Sequence, residues 1–185
     1  MIRIRAAEPR DAMQIAAIYM PYVTSSAISF ELKPPTAEEM LARMTASDGL
    51  YPWLVATTED DDAVLGYAYA GQFRERPAYR YTVETSIYLG GGVQGQGTGR
   101  LLYSALIATL TAQDFTQAIA ILSLPNEHSI GLHEATGFRR QGVYREVGYK
   151  NGRWIDVGFW QCQLNRSTTP PTEPKKFSDV GVIRA

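Results

Sequence analysis

The segment Gln94-Gly95-Gln96-Gly97-Thr98-Gly99 has the residue types and spacing that most directly imply chemistry. It lies between an apolar, β-prone run and a stretch in which Leu101, Leu102, Ala105, Leu106 and Leu110 keep helical spacing. Glycines let a ligand approach the backbone closely, and the first N–H groups of a helix point outward at the positive end of its dipole. A phosphate is the natural guest. The dinucleotide fingerprint G-x-G-x-x-G fails, because Arg100 stands where the third glycine must be and the strand does not open a βαβ unit. A P-loop fails because no G-K-[ST] occurs.

Other residues qualify by type. Glu84 stands mid-strand among Thr82, Val83, Thr85 and Ser86, where burying a carboxylate is costly unless it serves a purpose, so it is a candidate base. Arg74, Arg76 and Tyr79 come just before that strand. Two arginines near a base could clamp a carboxylate and a second anionic or polar group bidentately. Asn126 precedes a helix and suits its N-cap. His133 lies on that helix, and spacing alone gives it no role. The acidic run 59–62 reads as a solvated turn, and no metal is expected.

These residues are positioned by an alternation of elements. Residues 2–5 read as a strand, followed by a helix opened by Pro9 and ending near Pro21, with Met13, Ile15, Ile18 and Tyr19 as its buried stripe. A loop to Pro35 carries Phe30. Thr36 and Glu39 form a capping box for a second helix with Met40, Leu41 and Met44 on its apolar face. Residues 53–57 and 64–72 read as a hairpin, and 79–89 as a third strand. After the glycine helix come a strand at 118–122, a helix from about 127 to 135 stopped by Gly137, and two strands, 144–150 and 154–164, joined at Asn151-Gly152. Tyr144, Tyr149, Trp154, Phe159 and Trp160 are expected in the core of that hairpin. The order predicts a mixed α/β layer fold over residues 1–165, with a Pro-rich polar tail at 166–185.

Composition narrows the classes. The 185 residues suit one domain, and the 45% hydrophobic content is that of a globular chain. With 18 Lys+Arg against 19 Asp+Glu, the net charge of −1 lacks the basic excess of a nucleic-acid binder. The one cysteine, Cys162, excludes an internal disulfide, and with two histidines it cannot complete a zinc-finger ligand set. No stretch approaches the ~18 apolar residues of a membrane span, and residues 1–5 lack a signal peptide's apolar region. A soluble, cytoplasmic protein is expected, and the Asn165-Arg166-Ser167 sequon has no secretory context.

Gln94, Gly97 and Gly99 between strand and helix resemble the Q-x-x-G-x-G pyrophosphate loop of the GNAT acyltransferase superfamily, which grips acetyl-CoA. Tyr51-Pro-Trp-Leu-Val-Ala56, Tyr67-Ala-Tyr-Ala-Gly71, Thr82-Val-Glu84, Leu124-Pro-Asn126, Leu132-His-Glu-Ala135, Gly148-Tyr-Lys150 and Asp156-Val-Gly-Phe-Trp160 are similar to the phosphinothricin N-acetyltransferase family. The likeness runs from about residue 2 to 164. It implies the GNAT fold, a mixed, mostly antiparallel central sheet flanked by helices. It also implies direct acetyl transfer from acetyl-CoA to the α-amine of a small amino acid such as phosphinothricin, methionine sulfoximine or methionine sulfone.

By the same resemblance, Glu84 is the catalytic carboxylate and His133 a proton relay or orienter of the amine, where many relatives have tyrosine. Gln94, Gly95, Gln96, Gly97, Thr98, Gly99 and Asn126 hold CoA. The backbone of Ile87, Tyr88 and Leu89, at a strand expected to splay, holds the pantetheine and the thioester oxygen. Phe30, Arg74, Arg76, Tyr79 and Val157 line the amino-acid pocket, and the protein is a homodimer. Two rivals remain: an acetyltransferase for a polyamine, an antibiotic or a protein N-terminus, and a non-catalytic acetyl-CoA-binding module.

Overall fold

Apolar and charged residues alternate along strand β1 (Ile2–Ala6), and both faces are covered: Ile4 enters the core, while the Arg5 guanidinium is paired with Asp11 at 2.7 Å and Asp62 at 3.0 Å. The computed structural model describes residues 2–46, 49–93 and 95–184. After a 3-10 turn at Pro9–Asp11 comes helix α1 (Ala12–Thr24). It buries Ile15, Tyr19 and Val23, but Met13 is 71% exposed and not part of the stripe. Nor does α1 end at Pro21. It continues another turn, because Val23 is buried and the Tyr22 hydroxyl donates to Leu89 O at 2.7 Å, contacts that offset the backbone bond proline cannot make. Helix α2 (Ala37–Thr45) starts with the predicted reciprocal cap: Glu39 N donates to Thr36 Oγ1 at 3.2 Å and Thr36 N to Glu39 Oε2 at 2.8 Å.

Strands β2 (Trp53–Thr58), β3 (Val64–Gln72) and β4 (Thr82–Leu89) form the antiparallel meander. β4 begins later than the sequence suggests, because Pro77–Tyr79 is a 3-10 turn in the β3–β4 loop. Helix α3 (Thr98–Ala112) buries Leu102, Tyr103, Ala105, Leu106 and Leu110 against the sheet. Strand β5 (Gln117–Ser123) and helix α4 (Glu127–Ala135) follow, then strands β6 (Arg139–Lys150) and β7 (Arg153–Gln163). The strand order is β1-β2-β3-β4-β5-β7-β6, antiparallel except between β4 and β5.

The sheet separates two cores. On one face α3 covers the larger, which includes Leu54, Ala68, Val83, Phe115, Phe138, Trp160 and Cys162. On the other, α1 and α2 cover Trp53, Val55 and Tyr67. The hairpin aromatics divide: Trp160 is buried, whereas Tyr144, Tyr149 and Trp154 are 53%, 60% and 61% exposed and not core. β6 is an edge strand: among the described residues no further strand pairs with it.

The chain after β7 folds back on its own α3. Gln113 Nε2 donates to Lys175 O and Lys175 N to Gln113 O, both at 2.8 Å, and Ile183 N donates to Thr109 Oγ1 at 3.0 Å. Phe177, in the short helix α5 (Phe177–Val180), and Val182 pack against the larger core.

Candidate active site

The one parallel seam is where the sheet opens. β4 and β5 pair only through Thr82–Gln117, Val83–Ala118 and Glu84–Ile119. Beyond that point β4 stays with β3 as far as Leu89, while β5 stays with β7 as far as Ser123, so a wedge opens between them. Gly90 N donates to Leu65 O at 2.8 Å. Alternation along the antiparallel ladder therefore turns the backbone groups of Tyr88 toward β3 and those of Ile87 and Leu89 toward the wedge. Both groups of Leu89 meet the Tyr22 hydroxyl, so Ile87 offers the wedge-facing N–H that has no strand partner.

Three adjoining hollows make one groove. The outermost, about 530 Å³, lies between α1 (Ile18, Pro21, Tyr22) and the Leu89–Gly91 end of β4. The next is walled by Tyr22, Ile87, Leu89, Asn126 and Leu132, and the innermost by Thr85, Ser86, Ile87, Leu122, Asn126 and His133. Ile28, from the α1–α2 loop, borders all three.

Beside the groove is the glycine turn: a Cβ on Gly99 would meet Leu89 and Leu132, two walls of the middle hollow. Gly95 and Gly97 have φ of +79° and +83°, a left-handed conformation that favours glycine, and a Cβ at either would meet nothing within 4 Å. Gly97 is the N-cap of α3, whose first turn carries no acidic residue, so the helix presents open N–H groups and an unneutralised dipole. Thr98 is fully buried beneath it, and Gln96 Nε2 donates back to Gly92 O at 2.9 Å. Gln94 lies outside the described residues.

At the inner end, His133 is 2% exposed and packs edge-on against Tyr103 and Phe138. Its Nδ1 is 2.7 Å from Ser129 O. A carbonyl can only accept, so Nδ1 carries the proton and Nε2 presents its lone pair. Burial pushes the imidazole pKa below its ordinary value, against the carbonyl's opposite pull, which favours the neutral ring. His133 Nε2 and Asn126 Nδ2 are both buried without a hydrogen-bond partner among the described residues, while Asn126 Oδ1 caps α4 by accepting from Ser129 N at 3.3 Å. An unpaired buried acceptor and donor bordering one narrow space fit a polar guest; without one, each carries a desolvation cost.

Glu84 lies on the opposite face of the sheet. It is paired with Gly71 and Ile119, on the side toward α1 and α2, and is half-buried. Desolvation raises its carboxyl pKa, while the charge of Arg74 works the other way; among the described residues no donor bonds to it. Val157 is buried on that same face, opposite Ser123. Phe30 reaches it from the α1–α2 loop, and its ring lies against Gly148 so closely that a Cβ there would collide. Lys150 Nζ fixes the loop by donating to Val23 O at 2.7 Å and Ser29 O at 2.6 Å. Arg74, Arg76 and Tyr79 instead surround an open hollow in the β3–β4 loop with Gln72, Phe73 and Glu75, and it shares no wall with the wedge. Neither arginine is in a salt bridge among the described residues.

Sequence reasoning missed Tyr22, Ile28, Ser129 and Lys150. Their roles depend on which backbone atoms come near them in the fold, and no local pattern encodes that. Among the described residues no three His, Cys, Asp or Glu side chains gather as metal ligands, and no helix is long and apolar enough to cross a membrane.

A sheet parted at its parallel seam, with a left-handed glycine turn beside the opening, defines an acyl-CoA-type transferase scaffold. Residues 4–158 match the acetyltransferase (GNAT) domain family, and the chain belongs to that family. The phosphinothricin N-acetyltransferase of Streptomyces viridochromogenes is 38% identical over 174 residues, 94% of each chain. The L-methionine sulfoximine/L-methionine sulfone acetyltransferase of Salmonella typhimurium is 36% identical, over 90% of this chain and 97% of that one. A phosphinothricin acetyltransferase from Sinorhizobium meliloti, solved in complex with AcCoA, superposes with a TM-score of 0.86 at 40% identity, covering 94% of this chain and 93% of that one.

Proposed function

We propose that this protein transfers an acetyl group from acetyl-CoA to the α-amine of a small amino acid whose side chain ends in a tetrahedral polar group, of the phosphinothricin, methionine sulfoximine or methionine sulfone type. The observation that carries the reading is the wedge: a groove beside the glycine turn that ends at two buried polar atoms without partners among the described residues, with a desolvated carboxylate on the other face. The names of the relatives support the substrate class.

Acetyl-CoA supplies a thioester carbonyl open to attack and a thiolate that can leave. Gly95, Gln96, Gly97, Thr98 and Gly99 hold its pyrophosphate through backbone N–H groups at the start of α3. Asn126 Nδ2 binds the pantetheine arm, and Ile87 N–H faces the thioester oxygen and stabilises charge developing there. Glu84 takes the proton that keeps the substrate amine from attacking. His133 acts from the other side of the wedge. As the neutral Nδ1–H tautomer it can only accept at Nε2, so it takes the proton that the attacking nitrogen sheds on becoming the amide and passes it to the departing sulfur. Arg74, Arg76 and Tyr79 receive the substrate's anionic groups, and Phe30 and Val157 pack against its carbon chain.

We infer further that the partner is a small molecule rather than nucleic acid or a membrane, that the protein works in the cytoplasm, where acetyl-CoA and free amino acids meet, and that it is a homodimer. The test is thiol release from acetyl-CoA across phosphinothricin, methionine sulfoximine, methionine sulfone, methionine, glutamate, spermidine and an N-terminal peptide. Turnover concentrated on the first three is expected. Turnover on spermidine or peptide alone would overturn the substrate class, and acetyl-CoA binding without turnover on any amine would favour a non-catalytic module.

A further inference from the structure

The β3–β4 loop bears two arginines that form no salt bridge among the described residues, yet it has a definite shape, and the hydrogen bonds show what holds it. Within the loop, Tyr79 N donates to Arg76 O at 3.0 Å and Arg80 N to Pro77 O at 3.2 Å, which closes the 3-10 turn. The Arg80 side chain adds a second bond to the same carbonyl, from Nη1 at 3.2 Å. Its remaining donors leave the loop. Nε reaches both carboxylate oxygens of Glu173, at 3.2 and 3.0 Å, and Nη2 reaches Oε1 at 2.7 Å. The Tyr81 hydroxyl donates to that oxygen as well, at 2.7 Å, and the guanidinium stacks over the Tyr81 ring at 4.5 Å.

Glu173 lies 93 residues further along the chain, in the segment after β7. That segment is itself anchored two residues later: Lys175 N donates to Gln113 O, Lys175 O accepts from Gln113 Nε2, and the ammonium pairs with Asp114 at 2.8 Å. The carboxylate is therefore presented from a strap already fixed to α3, so less ordering entropy opposes the contact than for a free surface pair. Its partners hold its pKa down at about 2, so the pair stays charged at any assay pH.

We propose that Glu173 is a positioning residue for the amino-acid substrate: through Arg80 it holds the Pro77–Tyr79 turn, and with it Arg76 and Tyr79, in the arrangement that receives the substrate's anionic groups. The proposal rests on the reading of this loop as the substrate clamp. It gives the segment after β7 a part in substrate binding, exerted through Arg80.

The experiment compares Glu173→Ala, Glu173→Asp and the charge exchange Arg80→Glu/Glu173→Arg with the parent protein, on the amino acid that turns over fastest. Glu173→Ala is expected to raise the amino-acid KM about three- to fivefold, the range open to an exposed ion pair, with the acetyl-CoA KM and kcat unchanged. Glu173→Asp and the charge exchange recover at least part of the loss, and concentrated salt moves the parent KM toward that of the variant. A second readout needs no activity: brief trypsin treatment of the folded protein cuts after Arg74 faster in Glu173→Ala. An equal rise in both KM values, or no rescue by either partner variant, would make Glu173 a general stabiliser and overturn the proposal. Faster cutting with an unmoved amino-acid KM also overturns it. In that case Arg76→Ala separates the causes: if it too is silent, the loop was misassigned as the clamp, and if it raises KM, only the strap's role fails.

Discussion

Glu84 and His133 are both buried titratable groups, but burial moves their pKa values in opposite directions, and the two can be told apart by pH. Desolvation raises the Glu84 carboxyl, so the folded state binds its proton more readily than the unfolded chain does. Any stability that proton brings is present below the ordinary glutamate pKa and lost as pH rises through the folded value, so the parent carries the cost of a desolvated carboxylate at neutral pH. Glu84→Gln should therefore lower kcat by roughly 10²- to 10⁴-fold, with little change in acetyl-CoA affinity, and still raise Tm at pH 7.5. The Tm gain should shrink toward pH 4, which paired melting curves would show; unchanged turnover would remove Glu84 from the mechanism. His133 is lowered by burial. Below about pH 6.5 the unfolded chain takes up a proton that the folded ring refuses, so stability falls with pH there. The acid limb of kcat/KM should accordingly lie below the ordinary histidine range, and His133→Gln should shift that limb and reduce kcat. If limb and rate are both unmoved, the ring only fills the space between Tyr103 and Phe138.

At the scale of elements, the α1–α2 loop is shaped by a hairpin more than a hundred residues away. Lys150 donates to carbonyls at the end of α1 and in the loop, and Gly148 leaves room for the Phe30 ring. Gly148→Ala should push that ring away, cost about 1–3 kcal/mol in urea unfolding, and raise the amino-acid KM more than the acetyl-CoA KM. Adding Phe30→Ala should make the glycine substitution nearly free, and a double-mutant cycle showing independent effects would refute the contact. None of this was legible in the sequence, because it depends on long-range register. What was legible had a local cause. The Thr36–Glu39 box, the Asn126 cap and the Asn151-Gly152 turn, with φ of +52° and +74°, are written within four residues each. The errors have the same origin: Pro21 breaks a helix only when no tertiary contact continues it, and hairpin aromatics are core only if something covers the hairpin. The wedge was expected from family likeness and could not be read from strand patterning, since β4 and β5 look continuous as sequences. Of the candidate site, the glycine turn and Glu84 were legible by residue type, whereas the state of His133 required seeing Ser129 O beside it.

For the whole molecule, the strand order places the β6–β7 hairpin at one margin of the sheet. Tyr144, Val147, Tyr149 and Trp154 are each more than half exposed there; Tyr149 and Trp154, with ring centres 5.2 Å apart, project from one face of the hairpin and Tyr144 from the other. Single exposed apolar residues are ordinary, but four on one edge hairpin, three of them aromatic, resemble an interface left open. A second copy is the occupant proposed for it, and a two-fold contact would let the same residues serve both partners. The proposal has a consequence for catalysis, because Gly148 and Lys150, which hold the Phe30 loop, lie on this hairpin. Sedimentation at tens of micromolar should give twice the mass of the 20.5 kDa chain. Tyr149→Glu/Trp154→Glu should give a folded monomer with an unchanged far-ultraviolet circular dichroism spectrum and, through the loosened loop, a raised amino-acid KM. A parent protein that sediments as a monomer would refute the homodimer. A monomeric variant with parental kinetics would leave the dimer standing but show that the hairpin shapes the Phe30 loop without help from the second copy.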